Sequence, residues 1–101
     1  MMIYITQLIY LKTGQEKVFH EFEDIAIPLM EKYTGKIIQR IRPSLENFIE
    51  GEEDKPFEIH IISFDSDNKL ADFLADKKRQ ELIHLKEASI KSTLIIKGHQ
   101  L

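Results

Sequence analysis

Residues 2–11 read MIYITQLIYL, and this stretch decides the fold. It is dense in β-branched and aromatic residues and contains no Gly, Pro or Asp, which predicts a β-strand. Its apolar side chains fall on both faces, so the alternation that is typical of a half-exposed strand is absent. Residues 57–64, FEIHIISF, show the same two-sided pattern. We therefore expect a sheet that is covered on both faces.

The clearest helix follows the first strand. Its apolar residues recur at steps of three and four, which is the helical period: Val18, Phe19, Phe22, Ile25, Ala26, Leu29, Met30 and Tyr33. Thr13 and Glu16 have the spacing of a capping box at its start. Gly35 suits the left-handed residue that ends such a helix.

Further strands and a second helical region complete the pattern. Residues 36–42 (KIIQRIR) and 92–97 (STLIIK) have the composition of strands. The first of these strands is interrupted at Pro43, and whether it resumes at residues 45–50 is left as an open alternative. Residues 50–56 (EGEEDKP) indicate a loop. Asp65 or Ser66 can cap a helix. The apolar residues of this helix are Leu70, Phe73 and Leu74. A further helical segment carries Leu82, Leu85 and Ala88. The order β-α-β-β-α-β predicts an α+β fold, the ferredoxin-like sandwich with a four-stranded antiparallel sheet and both helical regions on one side.

Length and composition exclude several classes of protein. The 101 residues fit a single domain, residues 1–101, and the chain has no cysteine for disulfides, thiolate metal sites or a nucleophile. Lys and Arg number 14 against 17 Asp and Glu, and the net charge of -3 disfavours nucleic-acid binding. No apolar stretch reaches the roughly 20 residues that span a bilayer, and the first residues lack a basic leader. We expect a cytoplasmic protein that contacts no membrane.

Helices can cover only one side of the predicted sheet. We assign to that side the more uniformly apolar set: Ile3, Ile5, Ile9, Ile37, Ile41, Ile59 and Ile61. The opposite side then carries Tyr4, Thr6, Leu8, Tyr10, Ile38, Arg40, Arg42, Glu58, His60, Ile62 and Phe64. Leaving its large apolar side chains in water would forgo roughly 1.5 to 3 kcal/mol each. We therefore expect a homodimer in which two such faces enclose a partly polar cavity.

Polar side chains on that opposite face form the candidate binding site. His60 lies mid-strand among apolar neighbours, and the other members are Glu58, Arg40, Arg42 and Tyr4. The guanidinium fork of arginine matches a carboxylate, so Tyr4, Arg40, Arg42 and His60 predict a site for a small anionic ligand. His60 is also a candidate general acid or base. The alternative is that these side chains pair with one another.

We expect no metal and no cofactor. His20 has Glu16 and Asp24 four residues to either side, but an exposed helix face with paired charges explains this spacing better than an open metal site. The basic run at residues 77–79 indicates a solvated helix end. The chain contains no glycine-rich phosphate loop and no other strong catalytic motif.

Two segments resemble a known family. Residues 27–36, IPLMEKYTGK, and the turn Phe64-Asp65-Ser66 ahead of a helix are similar to a family of bacterial domains of unknown function, the 1330-like family. That family belongs to the dimeric α/β barrel superfamily, which is related to antibiotic-biosynthesis-type monooxygenases and NIPSNAP-like proteins. The resemblance extends over nearly the whole chain and includes an arginine on the second strand, here Arg40. It implies a ferredoxin-like protomer and a homodimer.

Together these observations favour a protein that binds a small anionic molecule, or transforms it without a cofactor. Two alternatives stay open. In the first, the chain is a structural or interaction module whose dimerisation is its function. In the second, it is a monooxygenase-like enzyme in which His60 assists proton removal.

Overall fold

The computed structural model describes residues 1–101 and has the predicted element order. The strands are β1 (Ile3–Leu11), β2 (Lys36–Ile41), β3 (Glu58–Phe64) and β4 (Ile90–Gly98). The first helix is α1 (Glu16–Met30). The second helical region consists of three short helices, α2 (Asp67–Leu74), α3 (Lys77–Glu81) and α4 (Ile83–Ser89).

The strands form one four-stranded sheet in the order β2-β3-β1-β4. Every neighbouring pair is antiparallel, so β3 and β1 are central while β2 and β4 are the edges. This arrangement confirms the predicted α+β, ferredoxin-like fold. None of the helices combines the length and the apolar character that a bilayer span requires.

Two helix starts test the predicted caps. α1 has no side-chain cap, so the capping box of Thr13 and Glu16 is wrong. The reason is local, because left-handed Gly14, with φ 77°, makes a turn between Thr13 and the helix. α2 begins after Ser66, whose hydroxyl accepts a hydrogen bond from a backbone N–H of the first turn at 3.2 Å. Ser66 is therefore confirmed as one of the two predicted caps.

The end of α1 also differs from the prediction. A 3-10 turn (Glu31–Tyr33) prolongs the helix, and Thr34 rather than Gly35 is left-handed, with φ 65°. Gly35 is required for close packing instead. A Cβ atom there would lie 2.7 Å from both Met30 Cβ and Phe64 Cε1, which is too close for a real contact.

β2 ends at Ile41 and does not resume. Leu45–Asn47 forms a 3-10 turn capped by Ser44, so the open option of a strand at residues 45–50 is wrong. Residues 50–56 contain neither helix nor strand, as predicted for a loop.

The register shows that our assignment of the two faces of β3 is wrong. Residues opposite each other on antiparallel strands share a face, and Ile5 lies opposite Ile62 while Gln7 lies opposite His60. The helix-covered inner face of β3 therefore carries Glu58, His60, Ile62 and Phe64, and the helix-free open face carries Ile59 and Ile61. The error has a physical cause. We assigned the inner face from apolar content alone, although charged side chains can also be buried when they are paired.

A bulge in β2 brings an arginine to the inner face. Ile37 and Arg40 are three positions apart, yet both lie opposite inner-face residues of β3. The register shifts between Ile37 and Gln39, which places one extra residue in β2. As a result, Arg40 lies opposite His60. Ile41 falls on the open face, which corrects its predicted position under the helices.

The main core lies between the inner face of the sheet and the helices. Its buried side chains are Ile3, Ile5, Leu29, Met30, Ile62, Phe64 and Phe73. The rings of Phe64 and Phe73 pack with their centroids 5.7 Å apart. Ile62 and Phe64, which we expected on the helix-free side, are therefore buried beneath the helices.

The open face is nevertheless apolar, as expected. Ile41, Leu94 and Ile96 leave 41%, 51% and 58% of their surfaces exposed. Tyr4 and Leu8 of β1 lie on the same face and are half-buried. The register thus changes which residues form the open face but not its apolar character.

Candidate functional site

A cavity of about 440 Å³ lies between the inner face of the sheet and the helices. Its wall includes residues from all four strands and from every helix, and 15 of the 21 lining residues are hydrophobic. The six others are Gln7, Glu23, His60, Arg79, Lys86 and Thr93. A mostly apolar wall with a few polar groups, at a volume of about 300–1,000 Å³, is typical of a small-molecule site.

Five charged side chains meet beside this cavity and form what we call the inner charge cluster. They are Glu23 of α1, Arg40 of β2, Arg42 just beyond β2, and Glu58 and His60 of β3. Nε2 of His60 lies 3.1 Å from Oε2 of Glu23 and 3.0 Å from Oε1 of Glu58. All three of these residues are buried, with exposed fractions of 3% for Glu23, 0% for Glu58 and 4% for His60.

The two arginines also bind the carboxylates of the cluster. Nη2 of Arg40 donates to Oε1 of Glu23 at 2.6 Å, and Nε of Arg40 donates to Oε1 of Glu58. Nη2 of Arg42 donates to the other oxygen of Glu58 at 3.2 Å, and its guanidinium lies 4.9 Å from the centre of the Phe57 ring. Both arginines are therefore engaged within the protein.

The pKa values of the cluster follow from these contacts. Burial would raise the pKa of Glu58, but hydrogen bonds from His60, Arg40 and Arg42 outweigh burial and hold it at about 2. Burial would lower the pKa of His60, but the carboxylates of Glu23 and Glu58 raise it to about 9. At neutral pH, Glu58 is a carboxylate and His60 is an imidazolium.

Glu23, Glu58 and His60 are also a candidate set of metal ligands. One ligand atom from each lies within 4.8 Å of the others, and two carboxylates with an imidazole suit a divalent ion. A metal would have to replace the proton between Nε2 and the carboxylates and compete with Arg40 for both of them. The geometry fits a cluster of mutually paired charges better than a metal centre. That the protein holds no metal stays a prediction.

A second pair of cations lies on the cavity wall, and these two have no carboxylate partner. Arg79 of α3 is half-buried, its guanidinium lies 5.2 Å from the centre of the Phe73 ring, and its Nε has no hydrogen-bond partner. Burial lowers the pKa of Arg79. Burial and the nearby charge of Arg79 lower the pKa of Lys86 of α4. The carboxylate of Glu87 acts in the opposite direction on the pKa of Lys86 but is outweighed. Two neighbouring cations therefore line a mainly apolar space, and neither forms an ion pair with a carboxylate.

Sequence reasoning missed this pair. The run at residues 77–79 was expected to be a solvated helix end, yet Arg79 turns to the cavity. A signal was available, because Arg79, Leu82 and Lys86 recur at steps of three and four, which places two cations on the apolar side of the helical region.

The structure brings together three of the four predicted site residues. Arg40, Arg42 and His60 all belong to the inner charge cluster, but only His60 lines the cavity. Tyr4 lies on the open face, where its hydroxyl donates to Oε1 of Gln100 at 3.1 Å. The four residues therefore do not surround one space.

Solved structures resemble this chain closely in shape and weakly in sequence. A protein of unknown function from Rhodopseudomonas palustris, RPA0582, superposes with a TM-score of 0.86 at 16% identity, over 99% of this chain and 82% of that one. An uncharacterised NIPSNAP-like domain protein from Burkholderia xenovorans gives 0.73 at 12% identity, over 99% and 85%. A Bacteroides fragilis protein, described as dimeric and ferredoxin-like, gives 0.71 at 10% identity, over 98% and 96%.

This chain has a ferredoxin-like fold. Its likeness to NIPSNAP-like proteins is a likeness of fold, because identities of 16% or less carry no information on activity. No family model and no curated protein matches the sequence. The resemblance to the 1330-like domains and to antibiotic-biosynthesis-type monooxygenases stays a prediction.

Proposed function

We propose that this protein binds a small, largely apolar molecule with one anionic group in the cavity between the sheet and the helices. The observation that carries the proposal is the pair Arg79 and Lys86, two cations without a carboxylate partner on a wall that is otherwise mainly apolar. Burying an unpaired charge is costly, and a ligand carboxylate would compensate both cations. The apolar part of the ligand would then fill the rest of the cavity.

The proposed ligand is still anionic, but the cations that bind it are not the ones that the sequence predicted. Arg40 and Arg42 are already paired with Glu23 and Glu58, which is the alternative that the sequence left open. His60 remains a cavity-lining residue. The anionic group of the ligand is therefore assigned to Arg79 and Lys86.

Calorimetric titration with a matched pair of probes tests this proposal. We expect 5-phenylpentanoate to bind at least about tenfold more tightly than 5-phenylpentanamide, because a hydrogen bond to a charged group contributes more than a neutral one. Lys86→Met and Arg79→Met should each reduce this preference. Lys69→Met, which removes an exposed lysine of α2, is the control and should leave it unchanged. Equal affinity of the wild-type protein for acid and amide would contradict the proposal.

We also propose that the protein acts as a homodimer whose two open faces pack together. Ile41, Leu94 and Ile96 would each forgo burial in a lone protomer, and a second copy supplies a self-complementary apolar surface. The fold neighbour from Bacteroides fragilis is described as dimeric. Dimerisation by this route leaves the cavity on the other side of the sheet in each subunit.

Two other functions are ranked lower. A structural module whose dimerisation is its function would not need unpaired cations inside an apolar cavity, and it is favoured only if neither probe binds. A monooxygenase-like reaction needs His60 to accept a proton, whereas an imidazolium between two carboxylates is a donor. A cytoplasmic location stays the expectation.

A further inference from the structure

One ring nitrogen of His60 has no hydrogen-bond partner within the protein. Nε2 faces Glu23 and Glu58, but Nδ1 makes no hydrogen bond to any part of the chain. Nε of Arg79 is the one side-chain polar atom that is both fully enclosed and without a hydrogen-bond partner. Nδ1 of His60 also has no partner, so it is not fully enclosed and must border open space. His60 is only 4% exposed and lines the cavity, and we infer that the cavity is the space that Nδ1 faces.

The surroundings of the ring determine what Nδ1 can do. Glu23 approaches Nε2 from α1 and Glu58 approaches it from β3, each within 3.1 Å. Arg40 lies opposite on β2 and is bound to both carboxylates, and the neutral side chain of Gln7 lies opposite on β1. Two carboxylates at one nitrogen stabilise the doubly protonated ring, and in that ring both nitrogens are donors. The pKa of His60, raised to about 9 by these carboxylates against the effect of burial, agrees with this geometry.

We propose that Nδ1 of His60 donates a hydrogen bond to a carbonyl oxygen of the ligand, so that the cavity selects keto acids over simple carboxylic acids. This inference rests on the proposed function, which supplies the site for the carboxylate at Arg79 and Lys86. The ligand then has two polar ends, one at these cations and one at His60, joined by an apolar body. A donor left unpaired in an apolar cavity disfavours ligands that lack the second oxygen.

Matched probes test the inference without changing the protein. The keto acids 4-oxo-4-phenylbutanoate, 5-oxo-5-phenylpentanoate and 6-oxo-6-phenylhexanoate vary the distance between the two polar groups. Each is compared by calorimetry with the acid of the same chain length that lacks the ketone. We expect at least one keto acid to bind about tenfold or more tightly than its partner, which is the effect of a charge-assisted hydrogen bond.

Spectroscopy of the wild-type protein identifies the donor. With a 13C-labelled ketone, the carbonyl stretch should move to lower wavenumber on binding, because the hydrogen bond polarises the C=O group. In protein whose histidines are labelled with 15N, the chemical shift of Nδ1 of His60 should be that of a protonated nitrogen. This signal should move when the keto acid binds but not when its ketone-free partner binds. His60→Gln should remove the preference if that variant folds, and the spectra of the wild-type protein decide the matter if it does not.

The outcomes separate the two proposals. If acids with and without the ketone bind equally and the carbonyl stretch does not move, the role of His60 is overturned while the proposed function stands. If no acid binds, the proposed function fails, and this inference fails with it.

Discussion

His60 is buried as a cation because the chain surrounds it with opposite charge. Two carboxylates face Nε2, and Arg40 in turn binds both of them. Removal of a central member of such a cluster is costly, since it leaves buried charges short of a partner.

The charge cluster makes stability depend on pH. The pKa of His60 is raised from 6.5 to about 9, so its contribution is complete below pH 6.5 and is lost as the pH rises through 9. The pKa of Glu58 is lowered from 4.5 to about 2, so its contribution is complete above pH 4.5 and is lost as the pH falls towards 2.

Urea unfolding measured from pH 3 to pH 9 should therefore show greatest stability between about pH 4.5 and 6.5. On the alkaline side the free energy of unfolding should fall by on the order of 3 kcal/mol by pH 9. A flat profile between pH 6.5 and 9 would show that His60 is not held as a cation in the folded state.

The two arginines of the cluster should differ in their effect on stability. Arg40→Met leaves Glu23 and Glu58 short of their shared partner in a buried site, and we expect a loss of about 3–5 kcal/mol in the free energy of unfolding. Arg42→Met is the matched control. It removes a hydrogen bond of 3.2 Å and the contact with the Phe57 ring from a half-exposed side chain, while Glu58 keeps Arg40 and His60 as partners, so the loss should be about 1 kcal/mol. Equal losses in urea unfolding would refute the central position of Arg40.

At this scale the sequence predicted four of the five cluster members, Arg40, Arg42, Glu58 and His60, but it missed Glu23 of α1 and placed the cluster on the wrong face of the sheet. Period-two alternation correctly grouped Glu58 with His60, but it could not say which group faces the helices. The bulge at residue 38 then moved Arg40 relative to Ile37. A bulge depends on pairing with a neighbouring strand and leaves no local signal in KIIQRIR.

Among the elements, the junction between α1 and β2 is the tightest. Gly35 lies between Met30 and Phe64 with no room for a side chain. Gly35→Ala should lower the free energy of unfolding by about 1–3 kcal/mol, because the added methyl group must displace core atoms.

Gly98→Ala at the end of β4 is the control for this substitution. Open space surrounds that position, so the change should stay within about 0.5 kcal/mol. Thermal or urea unfolding of both variants measures the difference. If Gly35→Ala is as harmless as Gly98→Ala, the close packing at this junction is not real.

The elements themselves were largely predictable. The apolar stripe of α1 and the β-branched runs of β1 and β3 reflect the periods of helix and strand, which are local properties of the chain. The capping box at Thr13 failed because a left-handed glycine changes the path of the chain within one residue. The spacing of Arg79, Leu82 and Lys86 indicates that the two cations share one side of the helical region, but their burial depends on how three short helices pack over the sheet.

For the whole molecule, the open face should determine assembly. Ile95 and Ile96 are neighbours on β4 with nearly equal exposure, 56% and 58%, but they lie on opposite faces of the sheet. Ile96→Lys places two charges in the proposed dimer interface and should weaken the dimer at least tenfold, by about 1.4 kcal/mol or more. Ile95→Lys should leave the dimer unchanged.

Sedimentation equilibrium measures the dissociation constants of the wild-type protein and of both variants. A wild-type protein that is monomeric at micromolar concentration would contradict the proposed dimer. So would a loss of dimer caused by Ile95→Lys and not by Ile96→Lys.

Methyl NMR tests most directly the claim that the ligand occupies the cavity between the sheet and the helices. The side chains of Ile62 and Ile95 line this cavity, whereas their chain neighbours Ile61 and Ile96 lie on the open face. When 5-phenylpentanoate is titrated into protein labelled at isoleucine methyl groups, the signals of Ile62 and Ile95 should shift and saturate while those of Ile61 and Ile96 stay fixed. Shifts confined to Ile61 and Ile96, or no shift at any of the four, would contradict it.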